Sequence, residues 1–356
     1  MSVALPPQSR FRREPDDSAL ATWWAGETLG TRYWRCEIPG RHLPGQVLKF
    51  GTADLAETGE DGYEFPWQRG AAIWQFSGTV TMRLLSLQMQ ENGTRVLVEV
   101  DDDYLTLYPG AGRNWHWREK IIPGKPGAKA VDHNTIEGHR RLCETADGVI
   151  VSTPHLASRY RHVNPNVFVC PNSVDPDDWP APEKPDDGVF RVGWAGSASH
   201  VHDWEPVRRA LSWCSRQPGV EVVFIGQVPD MGVRGRRVPW TDSLHDYRVS
   251  LAQLNVGVCP LVDTEWARGK SDVKALEYAM AAVLPAVSRV EAYKPWWQDD
   301  RPCLSAATSK EFEQQLRWAV RHRDEVRKVA DEARQYVLNH RTIDGSVGLW
   351  REAVNL

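Results

Sequence analysis

"FRVGWAGSASHVHDWEPVRRALSWCSRQPGVEVVFIG", residues 190–226, contains a strand, a helix and a second strand in succession. Residues 190–196 and 220–226 are apolar runs, each closed by a glycine. Residues 203–216 carry the spacing of an amphipathic helix between them. Strands that are apolar without alternation are buried on both faces. Such strands belong to a parallel sheet covered by helices.

The same grammar continues outward. Residues 242–253 read as a helix, 256–261 as a strand, 267–280 as a loop running into a helix, and 284–289 as a strand. The tail, 308–353, is mostly helical by pattern. Upstream, strands are expected at 71–76, 94–100, 148–153 and 166–170, with helices near 79–91, 130–146 and 154–161. Residues 175–188 hold four prolines and six acids, which is linker chemistry. The fold class is therefore α/β, with two Rossmann-like doubly wound domains. The expected boundaries are 1–175, a linker at 176–188, 189–340, and a C-terminal helix 341–356 that is a candidate to pack back on the first domain. Ligands of open α/β sheets bind beyond the strand carboxyl ends. A cleft between the two domains is the expected site.

Composition narrows the function classes. Of 356 residues, 41% are hydrophobic and 25% charged, as in ordinary globular chains. A net charge of −4 gives no global basic field for nucleic acid or an anionic membrane. The N-terminus lacks an apolar core of signal-peptide type, and no apolar run reaches the ~18 residues of a spanning helix. The six cysteines form no CxxC pair and no metal spacing. They read as reduced and mostly buried, and the expected location is cytoplasmic. Seventeen tryptophans are unusual. They are either core and interdomain packing or stacking surfaces for a sugar or nucleobase.

Within "ARGKSDVKALEYAM" (267–280), Ser271 and Asp272 suit a helix start, as N-cap and first-turn acid. Val273, Leu276 and Met280 then form an apolar face. Arg268, Lys270 and Lys274 crowd the positive end of the helix dipole, where cations are unfavourable. Glu277 lies beside the apolar stripe, where a carboxylate needs a partner. An anion at the helix N-terminus would account for the cations. The alternative is that both lysines are solvated and Glu277 pairs with a neighbouring cation. Gly196 and Ser197 follow the first strand, and a glycine there allows close backbone approach to a phosphate, or a simple turn.

Four segments, at 146–160, 169–175, 191–211 and 260–288, together resemble the GT-B glycosyltransferases, especially the retaining family 4 ("glycosyl transferases group 1") type. The resemblance implies a nucleotide-sugar donor whose diphosphate lies at the start of the 267–280 helix. By motif position, Glu277 holds the ribose hydroxyls. Lys270 and Arg268 would stabilise the leaving diphosphate, with Ser271, Lys274, Gly196 and Ser197 also at the donor. Domain closure would exclude water from the reaction. Retention of anomeric configuration, no metal and no cofactor are implied. The family often has two glutamates eight positions apart. The first position here is Gly269, so that sugar contact is absent or comes from backbone N–H groups. The usual Arg and Lys of the glycine loop are also replaced, by Ser197 and residues near His202. These departures leave the donor's identity open.

Asp101, Asp102 and Asp103 end the 94–100 strand. They are a metal-binding motif of the GT-A kind, a sugar or acceptor contact at the cleft edge, or a solvated loop with one acid capping the next turn. His133 and His139 lie on the 130–146 helix, and His133 is a further candidate for the acceptor or sugar. The expected activity is sugar transfer to an acceptor that is a glycan, lipid, protein or modified DNA. The alternatives are a non-catalytic nucleotide- or sugar-binding protein of the same fold, a metal-dependent transferase using Asp101–Asp103, and a nucleotide-sugar epimerase. The basic stretches 113–120 and 234–237 would suit an anionic acceptor.

Overall fold

A computed structural model describes residues 20–25, 29–49, 70–75, 78–106, 135–196, 203–227, 232–299 and 301–355. Ser197, His133, the region near His202 and the 113–120 stretch lie outside the described residues. The chain divides into two compact units, one of residues 1–173 with 343–356, the other of 174–342.

The first unit holds a six-stranded sheet of order β2-β1-β3-β4-β5-β6. Its strands are β1 (Ala21–Ala25), β2 (Gly45–Lys49), β3 (Ala71–Gln75), β4 (Val96–Val100), β5 (Gly148–Val151) and β6 (Val167–Val169). Every pairing is parallel. The helices that join them include α1 (Leu29–Arg32), α2 (Ile38–His42), α3 (Val80–Glu91), α4 (Ile136–Thr145) and α5 (Pro154–Tyr160). The side chains of Thr79, Thr135 and Thr153 cap α3, α4 and α5. β1, β3, β4 and β5 are buried along their whole length, as parallel strands covered on both faces must be.

The second unit has strand order β12-β11-β10-β7-β8-β9, again wholly parallel. The strands are β7 (Phe190–Gly196), β8 (Val220–Gly226), β9 (Arg236–Val238), β10 (Val256–Cys259), β11 (Leu284–Ser288) and β12 (Leu304–Ala306). Between and after them come α6 (Glu205–Cys214), α7 (Leu244–Ala252), α8 (Glu265–Arg268), α9 (Val273–Met280), α10 (Lys294–Trp297), α11 (Ser309–Arg321) and α12 (Arg323–His340). The chain starts at β7, steps outward to β9, then returns to the other side of β7 with β10. The order therefore reverses between β7 and β10, and the carboxyl ends of these two strands are the switch point at which such sheets bind ligands. Phe190, Val192, Trp194, Leu211, Phe224, Val258 and Phe312 belong to this unit's core.

Two expectations about organisation change, and the placement of the C-terminal helix does not. Residues 176–188 are not a free tether but pack on the second unit. The Lys184 ammonium donates to the carbonyls of Leu254 (2.5 Å) and Ala281 (3.3 Å), which follow α7 and α9. Burial pushes its pKa down to about 7. The Arg248 guanidinium covers the Trp179 ring at 4.9 Å and donates to the Asp178 carbonyl. The last helix, α13 (Ile343–Asn355), groups with the first unit, where Trp350 meets Trp23 and Arg35. Finally, part of the basic 234–237 stretch forms the edge strand β9, where Arg236 pairs with Glu221 and Arg237 covers Phe224.

Among the described residues the tryptophans are largely core. Trp23, Trp24, Trp74, Trp194, Trp296 and Trp350 are fully buried, whereas Trp240 is 46% exposed. All six cysteines are free thiols, and only Cys303 is not fully buried.

Candidate functional site

β7 ends at Gly196 and pairs residue for residue with β8, which ends at Gly226. At Gly196 a Cβ would lie 2.5 Å from the Trp194 ring and 2.7 Å from the Lys274 Nζ. Glycine is thus required there by close approach, with an ammonium as the approaching group. Gly226 has φ +96°, and a Cβ on it would lie 2.4 Å from the Gly196 carbonyl oxygen. The two glycines let the Trp194, Lys274 and Trp240 side chains approach the backbone at the carboxyl ends of β7 and β8.

Helix α9 is laid against this edge by Tyr278. Its ring sits where a Cβ on Gly257 of β10 would be, 2.4 Å away. Its hydroxyl oxygen accepts from the Ala195 N–H at 2.8 Å. A glycine inside a strand marks such close approach. Lys274, one turn earlier, donates from Nζ to the Ala195 carbonyl at 2.7 Å and lies 5.1 Å from the Trp194 ring centroid. Burial lowers its pKa, and Glu277 opposes that shift. Glu277 is half-buried and accepts through Oε2 from the Tyr247 hydroxyl of α7 at 2.8 Å. Glu277 thus meets a phenol, which the sequence did not reveal.

The start of this segment differs from expectation. The 267–280 stretch breaks into α8 and α9, and Asp272, not Ser271, stands at the N-cap of α9. Asp272 does not cap the helix with its side chain. Its buried carboxylate accepts a fork from Arg341 at 2.7 and 3.0 Å, and the Trp296 indole N–H at 2.8 Å. Burial raises the pKa of this carboxyl, but the Arg341 charge and both donors outweigh it and hold the value below the ordinary range. Diverting the acid also leaves the first turn of α9 without a side-chain cap. The N–H groups of Val273 and Lys274 precede the first intrahelical donor, the Ala275 N–H, which donates to the Asp272 carbonyl.

Three of the residues expected at the phosphates are engaged within the protein. Arg268, exposed at the end of α8, places its fork on Asp263 at 2.8 and 3.1 Å. The Gly269 N–H donates to the Trp266 carbonyl at 3.2 Å and closes α8. Lys270 is half-buried with its ammonium 5.1 Å from the Trp266 ring centroid. Ser271 is half-buried between the two helices.

In the first unit the acidic triplet does not converge. Asp101 accepts from the Tyr104 hydroxyl at 2.8 Å, while Asp103 is buried and accepts from Arg159 at 3.2 Å. Asp102 is partly exposed. Burial raises the Asp103 pKa, and Arg159 works against it. No group of three His, Cys, Asp or Glu side chains among the described residues is placed to hold a metal. His139 is buried, not a surface histidine, and its Nε2 is 2.9 Å from the Tyr160 hydroxyl. Just before the triplet, Glu99 is fully buried against Arg35 at 2.6 Å. That pair gave no signal in a strand read as apolar.

Residues 205–348 match a family model described as glycosyl transferase-like. No curated protein matches the sequence. Among solved structures, Anabaena Alr3699/HepE in complex with UDP is 10% identical with a TM-score of 0.61, over 94% of this chain and 98% of that one. WaaG, a glycosyltransferase involved in lipopolysaccharide biosynthesis, is 12% identical with a TM-score of 0.57, also over 94% and 98%. The sucrose-phosphate synthase of Thermosynechococcus elongatus is 13% identical with a TM-score of 0.53, over 79% and 73%. At such identities the likeness is one of fold, and that fold is GT-B.

Proposed function

We propose that this chain, a glycosyltransferase of GT-B fold, takes its sugar from a nucleoside diphosphate donor bound by the second unit. The observation that carries this reading is the meeting of Gly196, Lys274 and the first turn of α9 beside Glu277 at the sheet's switch point. Backbone N–H groups at a helix start, with a lysine beside them, suit a diphosphate. A carboxylate one turn along suits vicinal hydroxyls of a ribose. The complexes of Alr3699/HepE with UDP and UDP-glucose support a donor of this class. No helix among the described residues is long and apolar enough to cross a membrane.

The chemistry follows from charge. Negative charge grows on the diphosphate as the glycosidic bond breaks. Lys274, Lys270 and the first-turn N–H groups of α9 are fixed before the reaction and stabilise that charge without reorganising. Arg268 takes part only by leaving Asp263. Transfer proceeds with retention, as the family resemblance implies, and without a metal or other cofactor. The divergence of Asp101 towards Tyr104 and of Asp103 towards Arg159 supports the metal-free reading. The acceptor is a glycan, lipid, protein or modified DNA, and the chain acts in the cytoplasm.

Radiolabelled nucleotide sugars, scored for binding and for slow hydrolysis without acceptor, test the proposal. The expected result is binding and hydrolysis of one donor, unchanged by EDTA. Tight binding with no hydrolysis favours a non-catalytic binder. Loss of turnover in EDTA with recovery in Mn²⁺ makes the acidic triplet a metal site and overturns the metal-free mechanism.

A further inference from the structure

We infer that Tyr247 is a positioning residue for nucleoside recognition: its hydroxyl holds the Glu277 carboxylate in the orientation that receives the ribose. This inference rests on the reading of Glu277 as the ribose-binding acid. Tyr247 lies on α7 and Glu277 on α9, thirty residues apart, and their oxygens are 2.8 Å apart. Ser243 caps α7, accepting from the Asp246 N–H at 3.2 Å, and so fixes the turn that carries Tyr247. The C-terminal ends of α7 and α9 are fastened by one group, the Lys184 ammonium, through the Leu254 and Ala281 carbonyls. The two helices therefore present the phenol and the acid from a rigid frame.

The bond has one direction. Burial, and then the charge of Glu277, push the Tyr247 phenol well above its ordinary pKa. The hydroxyl thus stays protonated and donates, and Glu277 remains the acceptor. A carboxylate with one oxygen engaged by a fixed donor loses its freedom to rotate about its last torsion. Vicinal ribose hydroxyls then meet an acceptor already oriented for them, which reduces the ordering cost of binding.

The test uses calorimetric titration of the full chain with UDP, ADP and GDP, followed by the 2′,3′-dideoxy form of whichever binds. Tyr247→Phe removes one oxygen and keeps the ring. The expected result is a loss of about 5- to 30-fold for the ribonucleotide and less than about twofold for the dideoxy form. Combining Tyr247→Phe with Glu277→Gln should add little beyond Glu277→Gln alone, because both act through one contact. A purely structural tyrosine would instead lower the melting temperature and weaken both nucleotides by the same factor, which overturns the inference. Full ribose discrimination retained in Tyr247→Phe also overturns it, while leaving Glu277 in place. If the unaltered chain binds the ribo and dideoxy forms equally, or binds none of the three diphosphates, the ribose reading of Glu277 itself fails and Tyr247 falls with it.

Discussion

The carboxyl edges of the two sheets treat charge in different ways. At the first, Glu99 meets Arg35 and Asp103 meets Arg159, while Asp101 accepts from the Tyr104 phenol. At the second, Lys274 meets a carbonyl and Glu277 meets a phenol. The second edge sets a cation and an anion, which also feel each other's charge, against a carbonyl and a phenol, whereas the first sets carboxylates directly against guanidinium groups. Under the proposed function, the first edge holds the fold and the second holds a charged ligand. Asp272 sharpens the contrast. The acid at the N-cap of α9 is drawn off by Arg341, so that under the proposed function it does not compete for an anion.

Breaking the Arg35–Glu99 pair should give the largest effect. Arg35→Met leaves Glu99 buried without its cation, which costs about 3–5 kcal/mol of stability. Urea unfolding measures it, and nucleotide affinity of the folded fraction should stay as it was. A variant of full stability but weakened nucleotide binding would break the contrast between the edges.

Asp272→Asn should cost about 2–3 kcal/mol, since it weakens two charge-assisted bonds. Its pKa is depressed in the fold, so its contribution is complete above the ordinary value near 3.9 and is lost as pH falls through the lower folded value. Melting temperatures between neutral pH and about pH 3 should therefore show an acid limb that is shallower in the variant. An identical acid limb in both proteins would mean that Asp272 is not the charged partner of Arg341.

Gly196→Ala comes next, at about 1–3 kcal/mol, because the added methyl meets the Trp194 ring and the Lys274 ammonium. Displacing Lys274 should also weaken binding of inorganic pyrophosphate, measured by calorimetry, while a bare nucleoside is unaffected. Equal losses for both ligands would point to a general disturbance of the sheet.

Legibility in the sequence follows the same divide. β7 and β8 could be read to the residue, because largely apolar runs closed by glycine have few other meanings. β2, with Gly45, Gln46 and Lys49, and β9, with Arg236 and Arg237, carry little apolar signal and were missed, since edge strands need less burial. β1, "ATWWA", is wholly buried but short, and its two tryptophans gave no period. At the candidate site, Gly196, Lys274 and Glu277 could be proposed from residue type and position. Their partners could not. Ala195 and Tyr247 are 79 and 30 residues away from Lys274 and Glu277, and only the sheet order and the packing of α7 on α9 bring them together. The diversion of Asp272 was hidden for the same reason, because Arg341 lies 69 residues downstream.

The most direct test is the affinity of the nucleoside diphosphate that binds the unaltered chain most tightly, compared with the same titration of Glu277→Gln. The substitution keeps the size and removes the charge that strengthens hydrogen bonds to ribose, an effect of about 1.5–3 kcal/mol. A loss of at least several-fold, with the melting temperature unchanged, is the predicted result. Undiminished affinity in Glu277→Gln would remove Glu277 from the site and contradict the assignment of the second edge to the donor.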